Sequence, residues 1–170
     1  SYLVWLEYGL QSAHNTTLKT INRGHRVEDF FKAVDLTRGR GINICAHVIL
    51  GLPGEDRKMM LQTAQMLAGS QINGVKIHLL YVIKGTRLDQ MWKNGDYFPM
   101  DQEEYVNRVC DFLELLPKRI IIQRITGDPH SDELRAPLWA GRYRETFNMI
   151  QTTLENRDTF QGKRYKKKEK

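Results

Sequence analysis

The stretch ICAHVILGLPGED, Ile44 to Asp56, decides the fold. Its first half is nearly continuous in apolar and β-branched residues, as a strand in a covered sheet is. Gly51 and Gly54 then allow close backbone approach and unusual φ values, and Pro53 stiffens the turn between them. Glu55 and Asp56 suit the N-terminus of a helix, where the dipole favours negative charge. Strand, tight turn and helix follow one another within a few residues, the mark of a βα unit. The turn holds no Lys-Ser or Lys-Thr pair after its glycines, so it is not a phosphate-binding P-loop.

Three further runs resemble this strand: Tyr2 to Tyr8, Val75 to Ile83 and Arg119 to Thr126. Helical patterns lie between them. A short one spans Asn15 to Asn22 and stops at Gly24. Val27, Phe30, Phe31 and Val34 follow the i, i+3, i+4, i+7 rule, and Gly39 and Gly41 end that helix. Met60, Ala64, Leu67 and Ala68 mark the next. Asp101 and Glu104 read as a capping box, with Val106, Val109, Cys110 and Leu113 as the buried stripe and Pro117 as the stop. Phe147, Ile150 and Leu154 mark a last helix. The order β-α-β-α-β-α-β-α predicts an α/β domain with parallel strands and helical crossovers. It fits an open doubly wound sheet or half of a (β/α) barrel.

Composition narrows the classes. The chain has 170 residues, 41% of them hydrophobic, enough for one domain with a sizeable core. No apolar run is long enough to cross a bilayer, so the chain reads as cytoplasmic, with no membrane partner. Two cysteines, Cys45 and Cys110, are neither a disulfide framework nor a four-cysteine metal site; each reads as a small core residue. The net charge of +6 points to nucleic acid at first sight, yet Lys163 to Lys170 hold six basic residues and one acidic. That leaves a nearly neutral body over residues 1–160. The basic stretch, 161–170, reads as a solvated, disordered tail or, more sharply, as an arm for phosphates.

Ligands of parallel sheets sit at the carboxyl ends of the strands. Four polar clusters fall there: Gly9 to Ser12, His47 to Glu55, Lys84 to Arg87, and Gly127 to His130. Each has a plain reading. Gln11 and Ser12 can hydrogen-bond a turn, Arg23 can sit at a helix C-terminus, and His47 can be a core histidine satisfied by its neighbours. Their convergence on one rim favours a ligand.

LEYGLQSAHNTTLKTINRGH and ICAHVILGLPGED resemble the radical S-adenosylmethionine superfamily, in the branch of oxygen-independent coproporphyrinogen oxidase and the elongator-type tRNA-modifying enzymes. The resemblance covers roughly residues 1 to 90. RITGDPHSDELRAPLW and FQGKRY further resemble a bacterial Fe–S oxidoreductase subfamily. The resemblance implies the C-terminal half of a partial (β/α) barrel, about four βα units beginning at its fourth strand. It implies that Gln11 and His47 contact the ribose of S-adenosylmethionine, with Ser12 beside them. It implies Arg23 against the methionyl carboxylate, and Ile49 and Gly51 along the adenine. A [4Fe–4S] cluster held by CxxxCxxC is also implied, but that motif is absent from this sequence. The chain therefore reads as the C-terminal part of an enzyme whose cluster ligands lie upstream, inactive by itself. The whole enzyme would cleave S-adenosylmethionine to a 5′-deoxyadenosyl radical and abstract hydrogen from a substrate, with tRNA or another RNA as a candidate.

Lys84, Thr86, Asp128 and His130, with Arg87, are the candidate substrate residues. Open sheet edges predict self-association. An RNA-binding module without chemistry is the competing reading. A third, a nucleotide-binding doubly wound domain, lacks the glycine fingerprint it needs.

Overall fold

The computed structural model describes residues 2–127, 129 and 132–166. Its main sheet has four parallel strands: β1 (Trp5–Gln11), β2 (Asn43–Leu50), β3 (Gly74–Leu79) and β5 (Ile121–Arg124), in the order β1-β2-β3-β5. Helices α1 (Asn15–Thr20) and α2 (Val27–Thr37) connect β1 to β2, and α3 (Arg57–Ala68) connects β2 to β3. The path from β3 to β5 carries α4 (Arg87–Asn94) and α5 (Gln102–Leu115), and α6 (Tyr143–Asn156) follows. This is the α/β parallel arrangement of a partial barrel.

Burial explains which way the sheet faces. Ile44, Ala46, Val48 and Leu50 of β2 and Val75, Ile77 and Leu79 of β3 are buried in one apolar core with Phe30, Leu67, Val109 and Phe112 of the helices. Their alternate neighbours His47, Ile49, Lys76 and His78 are only half-buried. The near-continuous apolar runs suggest strands covered on both faces. Instead one face is covered by helices and the other is half-open, lined by the polar residues hidden in the alternation.

The helices begin where their caps say. Asp101 Oδ1 accepts from the Glu104 amide at 2.7 Å, and Asp56 Oδ1 accepts from the Met59 amide at 2.8 Å. Arg119 closes the far end of α3, donating to the carbonyls of Ala68, Ser70 and Ile72 at 3.0–3.1 Å. Those carbonyls would otherwise be unsatisfied after the last turn.

Two departures matter for the site. The run Val75 to Ile83 is not one strand. It breaks after Leu79, and β4 (Val82–Ile83) pairs antiparallel with β6 (Leu134–Ala136) in a separate two-stranded sheet. Val82 is apolar because it serves a second small core with Tyr97 and Ala136. Strand β1 also lies later than Tyr2 to Tyr8, which carries Gln11 into its last position. Of the basic stretch from 161, Gln161 donates to the carbonyls of Pro117 and Ile120, and the Gly162 and Arg164 amides bond to Leu113 and Glu114. Among the described residues no helix is long and apolar enough to cross a membrane.

Candidate functional site

The first site residue sits in strained backbone. Gln11 has φ of +65°, and the β1–β2 register shifts between Gly9 and Gln11. Left-handed backbone is uncommon outside glycine and costs roughly 1–2 kcal/mol, so its place at a strand end is a functional hint. The bulge re-aims Gln11 at the end of the half-open face.

Gly9 is the platform beside it. It pairs in register with His47. A Cβ built on Gly9 would lie 2.5 Å from Gln11 Nε2 and 2.7 Å from Arg23 Nη2. Two candidate side chains, Gln11 and Arg23, thus meet at one glycine, and His47 stands in register with it on the next strand. Arg23 Nη2 donates to the Gly9 carbonyl at 3.2 Å, while its Nε is buried with no hydrogen-bond partner among the described residues. A buried guanidinium N–H without a partner is rare in a finished structure and suits an anionic ligand.

Gln11, His47, Ile49, His78, Leu80 and Tyr81 line a cavity of about 290 Å³. Gly51 does not join them. Its φ of +88° turns the chain toward Tyr97, whose hydroxyl donates to the Gly51 carbonyl at 3.0 Å, and a Cβ there would meet Met100 Cε at 2.9 Å. Only glycine fits that turn. Ser12 is fully buried; its hydroxyl donates to Glu55 and accepts from the His14 amide at 3.0 Å. It ties the turn after β1 to the turn after β2, with no hydroxyl proton left for a ligand.

The described substrate candidates lie elsewhere. Lys84, Thr86 and Arg87 follow β4, off the main sheet, and Thr86 Oγ1 caps α4 by accepting from the Asp89 amide at 3.2 Å. Asp128 and His130 lie outside the described residues.

The half-open face holds groups that sequence reading missed. Glu7 of β1 accepts from His47 Nε2 at 2.7 Å and from Lys76 Nζ at 2.5 Å. The Lys76 contact, foremost, holds the Glu7 carboxyl below the usual carboxylate range, with the His47 contact adding to it against some burial. His78 stacks on His47 with ring centroids 5.3 Å apart. Burial first, and His47 next, push the His78 imidazole down to about 4, so it is neutral in ordinary buffer, and its Nε2 has no partner among the described residues.

An iron–sulfur cluster does not fit the residues present. Cys45 and Cys110 are both fully buried, and burial raises each thiol to about 11, whereas a metal ligand must be a thiolate. Among the described residues no three His, Cys, Asp or Glu side chains are placed to hold a metal. S-adenosylmethionine fits better: Arg23, with its partnerless N–H, and Gln11 meet at Gly9, and Gln11 also lines the small cavity with His47 and Ile49.

Parallel strands in the sequential order β1-β2-β3-β5, with helical crossovers, suit a partial (β/α) barrel. Family comparison is specific. Residues 1–67 match the Radical SAM superfamily model and residues 72–156 the Radical_SAM C-terminal domain model. The chain belongs to the radical S-adenosylmethionine superfamily. It is 42% identical over 165 residues to the uncharacterized protein MJ0486 of Methanocaldococcus jannaschii, covering 96% of this chain and 51% of that protein. It is 40% identical over 166 residues to the uncharacterized protein YtqA of Bacillus subtilis, covering 98% and 52%. A tRNA uridine(34) acetyltransferase of M. jannaschii is 34% identical over 126 residues, covering 72% of this chain and 23% of that one. The solved archaeal Methanocaldococcus infernus Elp3 with N-terminus deletion (1-46) superimposes with a TM-score of 0.80 at 26% identity, covering 93% of this chain and 37% of that chain. The chain spans about half the length of MJ0486 and YtqA.

Proposed function

We propose that this chain supplies the S-adenosylmethionine-binding rim of a radical enzyme. Gln11 and His47 hydrogen-bond the ribose hydroxyls. Arg23 holds the methionyl carboxylate, a planar anion that a guanidinium suits. Ile49, which lines the same cavity as Gln11 and His47, flanks the adenine, while Gly51 shapes the turn after β2. The single observation that carries this reading is the meeting of Gln11 and Arg23 at Gly9, the register partner of His47. When bound, S-adenosylmethionine would supply a 5′-deoxyadenosyl radical for hydrogen abstraction on one-electron reduction by a [4Fe–4S] cluster, which the described residues of this chain do not hold. The chain's own work is binding and orientation: it fixes the two ends of the cofactor and gives the adenine an apolar wall.

Substrate choice belongs to the rim loops rather than to the fold. A tRNA-derived substrate is the first to try, because similar proteins carry that activity in their names. A purely RNA-binding module is less favoured. Arg57, Arg108 and Arg157 are paired with Asp111 and Glu104, and within the basic stretch Arg164 is paired with Glu114, so part of the basic charge is already spent.

Gly9→Ala tests the reading by calorimetric titration of the complete protein with S-adenosylmethionine. The added methyl meets only the far ends of two flexible side chains, so the fold survives and the site does not. We expect an unchanged melting temperature and affinity reduced about tenfold or more, as befits lost charge-assisted hydrogen bonds. Unchanged affinity in Gly9→Ala and in Arg23→Met would overturn the assignment.

A further inference from the structure

Glu7, His47 and Lys76 come from three adjacent strands and meet on the half-open face. Nothing in the ribose-binding reading requires Glu7 or Lys76. A carboxylate offers only lone pairs, so the ring nitrogen that meets it carries the proton. Glu7 Oε2 takes His47 Nε2 at 2.7 Å, and Oε1 takes Lys76 Nζ at 2.5 Å. The lysine is the more buried partner, with its side chain 19% exposed against 41% for Glu7, so it anchors the carboxylate from below. On the ring's other face His78 stacks at an interplanar angle of 28°, which limits rotation of the imidazole.

We propose that Glu7, anchored by Lys76, is a positioning residue that fixes the tautomer of His47, spending its Nε2–H on the carboxylate and presenting Nδ1 as an acceptor to a ligand hydroxyl. This rests on the assignment of His47 to the cofactor ribose. A ribose hydroxyl is then recognised as a donor at His47. Gln11 offers an amide that donates and accepts, and together they match a pair of vicinal hydroxyls. Lys76 keeps the carboxylate charged and stationary, so that Glu7 does not turn to the ligand itself. The alternative is a plain cross-strand tie between β1, β2 and β3, for which Glu7→Leu would change stability and free the ring's proton but leave S-adenosylmethionine affinity unchanged.

The test uses the complete protein with ¹⁵N-labelled histidine, read by long-range proton–nitrogen correlation at neutral pH. The chain has five histidines, and a His47→Gln spectrum assigns the resonances. We expect His47 to show a protonated Nε2 and a bare Nδ1. Glu7→Leu should mix the tautomers and weaken S-adenosylmethionine binding about tenfold. Glu7→Gln, whose amide oxygen still accepts from Nε2, should keep the tautomer and restore most of the affinity. A His47 protonated at Nδ1 in the unchanged protein, or nitrogen shifts unmoved by Glu7→Leu, would overturn the proposal. If His47→Gln alone weakens binding while Glu7→Leu leaves the ring unchanged, the positioning role fails and the ribose contact stands. If the tautomer shifts with Glu7→Leu but no His47 change alters affinity, the ribose assignment is what fails, and the presentation of Nδ1 to a ligand falls with it.

Discussion

His78 gives the site a pH signature. Its imidazole is neutral in the folded chain down to about 4, against an ordinary value of 6.5. Between those two values the unfolded chain binds the extra proton and the folded chain does not. Stability therefore falls with falling pH through that window, and this contribution is constant above and below it. We expect His78→Gln to lose less stability than the unchanged protein between pH 7 and pH 4.5, measured as urea midpoints. Parallel losses would mean His78 does not hold out against protonation. The same residue illustrates what a sequence conceals. Gln11, Arg23 and His47 could be proposed because they lie in the two stretches that resemble the superfamily. Glu7, Lys76 and His78 were not, although they alternate with Leu6, Val75, Ile77 and Leu79 along their strands. Period-two alternation could have placed them on one face. Only the strand register, Gly9 with His47 and His47 with Lys76, brings them together, and a single sequence does not state register.

Helix α5 holds the molecule's layers together, packing against both α3 and α6. Its start rests on Asp101, whose side chain satisfies the Glu104 amide. Asp101→Ala should cost about 1 kcal/mol. That lowers the melting temperature by about 3 °C in a chain of this size. No shift by calorimetry would mean solvent replaces the cap without penalty. This helix was readable because its cap, its apolar stripe and Pro117 agree. Helix α4 was missed, although Thr86 caps it and Gly95 ends it at φ of +80°. Its eight residues present only Leu88, Met91 and Trp92 to a small separate core, too few for a clear period. Strands β4 and β6, two and three residues long, are set by pairing across 50 residues of chain, beyond any local pattern.

At the scale of the molecule, β1 and β5 are the outer strands of the main sheet, each paired on one side only. Leu6 of β1 and Ile121 of β5 are exposed, as are Tyr2, Leu3 and Val4 just before β1. Unpaired strand edges with apolar neighbours invite further pairing. The 170-residue chain alone should therefore self-associate, and Leu6→Lys should reduce it; a clean monomer by light scattering at high concentration would refute this. The parallel α/β architecture was legible because each strand run is followed by a periodic helix. The half-open face was not, because apolar runs look alike whether one face is covered or two. That face is where the proposed cofactor site lies, and one measurement tests it most directly. The complete protein, purified without oxygen, is assayed for iron and acid-labile sulfide, then for 5′-deoxyadenosine after addition of reductant and S-adenosylmethionine. We expect about four irons per chain. We also expect 5′-deoxyadenosine from the unchanged protein and little from Gly9→Ala. Iron-loaded protein that forms no 5′-deoxyadenosine, or that forms it equally with Gly9→Ala, would contradict the assignment of this rim.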